Sequence, residues 1–152
     1  MSDVRDRVSE ASQDGVLLAA RVAMAAIYLP SGFTKLTHLG AFAGSLAQHG
    51  VPLATAVAPI GAGVEFIGAL LILTGTRLRW AAILMAVFTV VAALISHRFW
   101  ELGSAARAAQ EVHFLKNIAI VGGYLALFVA GPGLYSLDHW LAHRLAFARR
   151  WR

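Results

Sequence analysis

The sequence predicts an all-α membrane protein, a four-transmembrane-helix bundle with a C-terminal interfacial helix. Hydrophobic residues make up 59% of the 152-residue chain and charged residues only 14%, against roughly 25% charged residues in soluble domains. Four apolar stretches also approach the ~20 residues that a helix needs to cross ~30 Å of hydrocarbon. None of them alternates with the period of a strand, so we expect helices and not a barrel.

The predicted spans cover residues 16–34, 54–74, 80–96 and 114–130, within a transmembrane domain at 16–133. Lipid satisfies no backbone hydrogen bonds, so each span must form its bonds internally as a helix. The loops at 40–50 and 103–112 each have room for a short helix but hold too few apolar residues to cross the bilayer.

The two termini are predicted to lie on the same side of the membrane. Residues 1–15 mix acidic and basic side chains, unlike a secretory signal peptide, and we expect a retained cytoplasmic segment. Lys and Arg in short loops mark the cytoplasmic side. Eight of them lie on the side with both termini and four on the opposite side. We therefore expect a bacterial inner membrane protein whose N- and C-termini are cytoplasmic.

The tail at 134–152 places apolar residues at helical spacing, with His and Arg residues on the other face. This pattern is typical of a helix that lies in the cytoplasmic interface. Ser136 is the expected cap, and Trp140 and Trp151 are the expected headgroup anchors. The alternative is a frayed basic tail.

Several classes of function are excluded or disfavoured by composition. The chain has no cysteine, which excludes disulfides, thiolate metal sites and thiol redox chemistry. The net charge is +5, but the basic residues are dispersed, so we expect no nucleic-acid partner. No predicted span carries a histidine in its middle, where a transmembrane haem needs it, and we expect no metal site.

Two ionisable residues interrupt the predicted spans, Arg21 in the first and Glu65 in the second. Charged residues in hydrocarbon are expensive and mark functional sites by default. Counting ~1.5 Å per residue puts Arg21 roughly 8 Å and Glu65 roughly 13 Å from the cytoplasmic edge, which predicts an ion pair between them. The pair would either fix the helix register or form a proton or substrate site.

Residues of both spans group on single helix faces. Tyr28, Gly32 and Lys35 share the Arg21 face at offsets of seven, four and three. Small residues near Glu65 and in the fourth span are expected to let helices pack closely and to permit self-association. These predicted packing residues, together with Gly32, are Gly61, Gly68, Gly75, Gly122 and Gly123.

A second polar layer is predicted at the opposite side of the membrane, where Lys35, His97, Lys116 and Asn117 fall at similar depth. These residues would surround a small vestibule. The aromatic surface that a quinone or another flat ligand needs would come from Tyr28, Trp100 and Phe114. The alternative is that the lysines snorkel and the aromatic residues form an interface belt without a ligand.

The order of these features closely resembles the DoxX family of small bacterial membrane proteins. The resemblance covers residues 16–139 and includes Arg21, Glu65, Gly68, Gly75 and the Gly122-Gly123 pair. The shared motifs are SGFTKL at 31–36, GVP at 50–52, HRFW at 97–100, FLKN at 114–117, GPG at 131–133 and SLD at 136–138. Each motif is weak alone, and their ordered combination is fairly specific.

The resemblance implies a four-helix membrane fold and a link to redox chemistry. Some relatives look like the small membrane subunit of thiosulfate:quinone oxidoreductases, so the leading hypothesis is an accessory or quinone-interacting subunit with an oxidoreductase partner. The family's polar signature falls on Arg21, Lys35, Glu65, His97, Trp100, Lys116 and Asn117. No nucleophile with an adjacent base is visible. The alternatives are a small transporter or channel built on Arg21 and Glu65, and a ligand-free scaffold.

Overall fold

The computed structural model describes residues 2–149, with side chains described for residues 12–144. The helices are α1 (Ser2–Thr37), α2 (Leu39–Gln48), α3 (Ala54–Thr74), α4 (Leu78–Ser96), α5 (Ser104–Ala130) and α6 (Leu137–Arg149), with a 3-10 turn at Phe99–Glu101. No strand occurs in this part of the chain. Four helices, α1, α3, α4 and α5, are long and apolar enough to cross a membrane, which confirms the predicted fold class.

Helix bounds differ from the predicted spans where polar residues continue a helix. The helix α3 coincides with the span predicted at 54–74, whereas α1 begins at Ser2 and continues to Thr37. The segment at 103–112 forms the first turns of α5, so it is not a separate short helix. The loop at 40–50 does contain one, α2. Hydropathy reports only the part of a helix that contacts lipid, so it underestimates the length of a helix that extends into water.

The spanning helices are arranged as an open ring. Helix α1 packs along α3, α3 along α4 and α4 along α5, whereas α1 and α5 touch over a shorter stretch. Both terminal segments and the α3–α4 connection lie at one end of the bundle, here called the terminal end. Helix α2 and the 3-10 turn lie at the other end, here called the distal end.

The core is built from aromatic and aliphatic side chains of all four spanning helices. Tyr28, Ile72, Met85 and Tyr124 are fully or almost fully buried within it. Large apolar side chains on the outer faces, such as Val87, are exposed, as expected where lipid is the solvent. Packing of complementary surfaces, and not removal from water, therefore holds the helices together.

Small residues allow the helices to approach closely. A Cβ atom at Gly32 would lie 2.8 Å from the backbone nitrogen of Phe66, so α1 lies directly against the α3 backbone there. Gly68 lies against Met85, and Gly61 faces the ring of Phe42.

The two adjacent glycines of α5 differ in their surroundings. A Cβ atom at Gly123 would lie 3.0 Å from the Met24 sulfur. A Cβ atom at Gly122, which was also predicted to pack, would meet no described atom of another helix within 4 Å. Adjacent residues on a helix point about 100° apart, so only one of the two glycines faces α1.

At the terminal end, the connection from α5 to α6 is tied to α1. The backbone N–H of Leu134 donates to Asp14 at 2.8 Å, and the Arg21 guanidinium donates to the Tyr135 carbonyl oxygen. Ser136 accepts a hydrogen bond from the His139 backbone N–H at 3.2 Å, which is the expected N-cap of α6. The predicted anchor Trp151 lies outside the described residues, as do Arg150 and Arg152.

Candidate functional site

A polar cavity of about 200 Å³ lies between α1, α3, α4 and α5 in the distal half of the bundle. The side chains that line it come from all four spanning helices. Six of them are candidates already singled out from the sequence: Tyr28, Lys35, Glu65, His97, Lys116 and Asn117. The remaining lining residues are Ile27, Ser31, Phe88, Thr89, Ala92 and Ser96.

The charged centre of the cavity is an ion pair between α1 and α3. Glu65 is only 2% exposed, and the Lys35 ammonium lies 2.5 Å from its Oε2 atom. The Lys35 ammonium also lies 5.1 Å from the centre of the Phe42 ring. The close contact at Gly32 sets this geometry, because Lys35 follows Gly32 by one turn and Glu65 precedes Phe66. Burying a charged group costs free energy unless the group is paired.

Arg21 does not pair with Glu65 in the structure. Arg21 lies level with Gly75, ten residues further along α3, which is a separation of ~15 Å and beyond the reach of an arginine side chain. The predicted pair assumed that the membrane edge coincides with the start of the apolar run. The Gly32 contact with Phe66 sets the register of α1 on α3 instead, and it places Lys35 opposite Glu65.

Arg21 has a separate environment at the terminal end. Its side chain is fully buried, and its Nε and Nη1 atoms have no hydrogen-bond partner among the described residues. Gly75, at φ +68°, leaves room for the guanidinium where a Cβ atom would collide with it. Buried Ile72 and Met85 lie between this level and Glu65. The transporter hypothesis required Arg21 and Glu65 to line one continuous polar path. In the structure these two residues do not line such a path.

A hydroxyl network forms one wall of the cavity. The Thr89 hydroxyl donates to the Met85 carbonyl oxygen at 2.7 Å and lies 2.7 Å from the Tyr28 hydroxyl. Because the single hydroxyl hydrogen of Thr89 is already used, Tyr28 must be the donor in this pair. Thr89 and Phe88 were not expected here. Thr89 had a weak sequence signal, a hydroxyl residue inside an otherwise apolar stretch, and Phe88 had none.

A histidine cluster lies at the distal end, and two of its members, His97 and Lys116, line the cavity. The Nδ1 atom of His97 lies 2.8 Å from the Gln110 side-chain oxygen, and the His97 ring stacks on His113 at a centroid distance of 5.3 Å. The Lys116 ammonium lies 3.2 Å from the His113 Nδ1 atom. Gln110 and His113 were missed because the start of α5 was expected to be a loop.

Trp100 lies beside the cavity and does not line it. Its ring packs edge-to-face on Phe99 and Phe114, with centroid distances of 5.1 and 5.9 Å. Trp100 is 48% exposed at the end of the bundle. The 3-10 turn at Phe99–Glu101 sets its direction, which helical spacing does not predict. Phe114 does not line the cavity either. Of the three aromatic residues predicted to surround it only Tyr28 lines it, and Phe88 is the second aromatic residue in the lining.

Helices α1 and α5 both border the cavity, and they touch each other over only a short stretch. These helices meet where Met24 contacts Gly123, and the Tyr28 and Tyr124 ring centroids are 6.0 Å apart just beyond that point. Further toward the distal end, both helices contribute lining residues to the cavity, and Ile27 and Lys116 are exposed. The short contact and these exposed residues indicate an opening between α1 and α5, through which a ligand can approach from the side.

The structure offers little for a resident metal ion. Among residues with described side chains, no group of three or more His, Asp or Glu residues could hold a metal. His139 and His143 lie one turn apart on α6 with ring centroids 4.7 Å apart, away from the cavity.

Comparisons with known proteins give one consistent result. The sequence profile of a family described as DoxX matches residues 16–98. The chain is 33% identical over 128 residues to the inner membrane protein YphA of Escherichia coli K12, covering 84% of this chain and 91% of that protein. It is also 33% identical over 129 residues to the inner membrane protein YqjF of the same strain, covering 85% and 94%. No solved structure matches it significantly.

Proposed function

The chain belongs to the DoxX family, and on that premise we propose that it is a membrane subunit that binds a quinone ring in the distal cavity and supports an oxidoreductase. The observation that carries the proposal is the convergence of Lys35, Glu65, His97 and Lys116 on one cavity within a membrane-spanning bundle. Placing ionisable groups inside a membrane costs free energy, so their presence there indicates a functional site. A scaffold without a ligand gives no reason for the arrangement.

The size of the cavity suits one ring. Sites for drug-sized ligands span roughly 300–1,000 Å³, so about 200 Å³ excludes a haem or a dinucleotide but admits a single substituted ring. Phe88 and Ile27 supply apolar surface for its faces. The opening between α1 and α5 leaves a route for a prenyl tail into the surrounding lipid.

The polar residues match the two oxygens of such a ring. The Lys116 ammonium and the Asn117 amide are hydrogen-bond donors on one side, and the Lys35 ammonium is a donor on the other. A bound quinone supplies reversible two-electron, two-proton chemistry. Glu65 and His97 are the titratable groups positioned to exchange protons with the ring oxygens.

The proposal also includes the membrane in which the protein lies, its orientation there and its partner. Both similar E. coli proteins are named inner membrane proteins, and the excess of Lys and Arg at the terminal end favours a cytoplasmic position for that end. We propose that the cavity therefore lies in the extracytoplasmic half of a bacterial inner membrane. The oxidoreductase partner follows from the family resemblance.

The proposal is tested by mass spectrometry of lipids that co-purify with the protein in mild detergent. We expect a quinone, counted as the sum of its oxidised and reduced forms, with the native chain, and a loss of at least about threefold in His97→Ala because a hydrogen bond between His97 and the ring is removed. The matched control is His38→Ala, since His38 lies at the distal end but does not line the cavity, and the hydrogen bonds of its ring to described residues are local, to Thr34 and Thr37. Absence of quinone from the native chain, or equal amounts in all three proteins, would refute the proposal.

A further inference from the structure

We infer that Gln110 is a positioning residue that holds His97 as a hydrogen-bond acceptor toward the cavity, so that the cavity prefers a ring with hydroxyl groups to one with carbonyls. The ligand class is thus a hydroquinone in preference to the corresponding quinone. This inference rests on the proposed function and specifies which redox form the site selects.

The tautomer of His97 follows from its partner. A neutral imidazole has one N–H donor and one acceptor nitrogen. An amide oxygen only accepts, so the contact of 2.8 Å between Nδ1 and the Gln110 Oε1 atom places the hydrogen on Nδ1. Nε2 then carries the lone pair. It makes no hydrogen bond within the part of the chain whose side chains are described, and the His97 ring lines the cavity.

The surroundings of His97 hold this arrangement in place. The ring stacks on His113, at 21° between planes, and its Nδ1 atom contacts Gln110. The charged neighbour on α5 is Lys116, whose ammonium is directed at His113. On the other helices that line the cavity, the charged groups are Lys35 and Glu65, which neutralise each other.

An acceptor at this position discriminates between redox forms. A hydroxyl group can donate to Nε2 and still accept from the Lys116 ammonium or the Asn117 amide. A carbonyl oxygen only accepts, so opposite Nε2 it leaves two acceptors facing each other without a hydrogen. Sites that hydrogen-bond a ligand hydroxyl discriminate strongly against analogues that lack the donor. Glu65, also in the lining, offers carboxylate oxygen to a second hydroxyl group.

The test measures binding of decyl-benzoquinone and of its reduced form, under anaerobic conditions, to the native protein in detergent. We expect the reduced form to bind about three- to tenfold more tightly, the value of one net hydrogen bond. In Gln110→Leu the imidazole is free to carry its hydrogen on either nitrogen, so the ratio should fall to about one. The matched control is Gln48→Leu, at the exposed distal end of α2, which should keep the native ratio.

A second readout separates positioning from a merely structural role. The ¹⁵N shifts of the His97 imidazole should show hydrogen on Nδ1 in the native protein and a mixture of tautomers in Gln110→Leu. Equal affinity of the native protein for the two forms, or a preference that persists in Gln110→Leu, would overturn the inference while leaving quinone binding intact. Failure of both forms to bind the native protein would instead overturn the proposed function itself.

Discussion

Replacing Lys35 with alanine is expected to lower the free energy of unfolding by about 3 kcal/mol. The Glu65 carboxylate is 2% exposed, and Lys35 is its ion-pair partner at 2.5 Å. Removing one member of a buried pair leaves the other charge without compensation, which costs about 3–5 kcal/mol. We choose the lower end because Lys35 itself is 32% exposed. The measurement is reversible unfolding in mixed micelles.

Two variants control this prediction. Lys116→Ala removes the same side chain at the same end of the bundle, but among the described side chains Lys116 has no buried carboxylate as its partner, so its effect should be below about 0.5 kcal/mol. The double variant Lys35→Met, Glu65→Gln should recover most of the loss, because removing both charges also removes the desolvation cost. If Lys35→Ala is as stable as Lys116→Ala, the ion pair between Lys35 and Glu65 contributes nothing to the free energy of unfolding.

Gly32→Ala is expected to destabilise the protein by about 2 kcal/mol. The new Cβ atom would lie 2.8 Å from the Phe66 backbone nitrogen and 2.9 Å from its Cα atom. Backbone cannot move aside as a flexible side chain can, so α1 and α3 must separate, and overpacking of this kind costs about 1–3 kcal/mol. The separation also moves Lys35 away from Glu65.

The matched control for this prediction is Gly63→Ala on α3. A Cβ atom added at Gly63 would meet no described atom of another helix within 4 Å. Alanine there should therefore stabilise the helix slightly, as alanine does relative to glycine in a helix interior. Both variants are compared by the same unfolding measurement. Equal stability of Gly32→Ala and Gly63→Ala would show that the helices do not approach closely at Gly32.

Composition and helical spacing predicted much of this molecule. The spanning helices follow from apolar runs that only lipid can solvate, and α3 coincides with its predicted span. The spacing of Tyr28, Gly32 and Lys35 placed them on one face of α1, and that face does lie toward α3 and the cavity. The sequence also placed Lys35, His97, Lys116 and Asn117 at similar depth, where they could surround a vestibule, and all four line the cavity.

The register between helices was not predictable from the same information. Arg21 and Glu65 were placed at similar depth, but hydropathy locates a helix in the membrane only to within a few turns. A contact between two backbones, Gly32 on Phe66, selects the register, and nothing in the spacing of either helix specifies its partner. The direction of the Trp100 side chain was not predictable either. It is set by the 3-10 turn at Phe99–Glu101, where the spacing rules of an α-helix do not apply.

Photoaffinity labelling of native membranes with an azido-quinone tests quinone binding in the distal cavity most directly. Labelled peptides should come from the cavity wall, from 27–35 of α1 and from 110–117 of α5, and excess unmodified quinone should protect them. The label should fall in Lys116→Ala, which removes a hydrogen-bond donor to a ring oxygen, and not in His38→Ala. Labelling confined to lipid-facing residues such as Val87, or labelling that excess quinone does not reduce, would contradict the account.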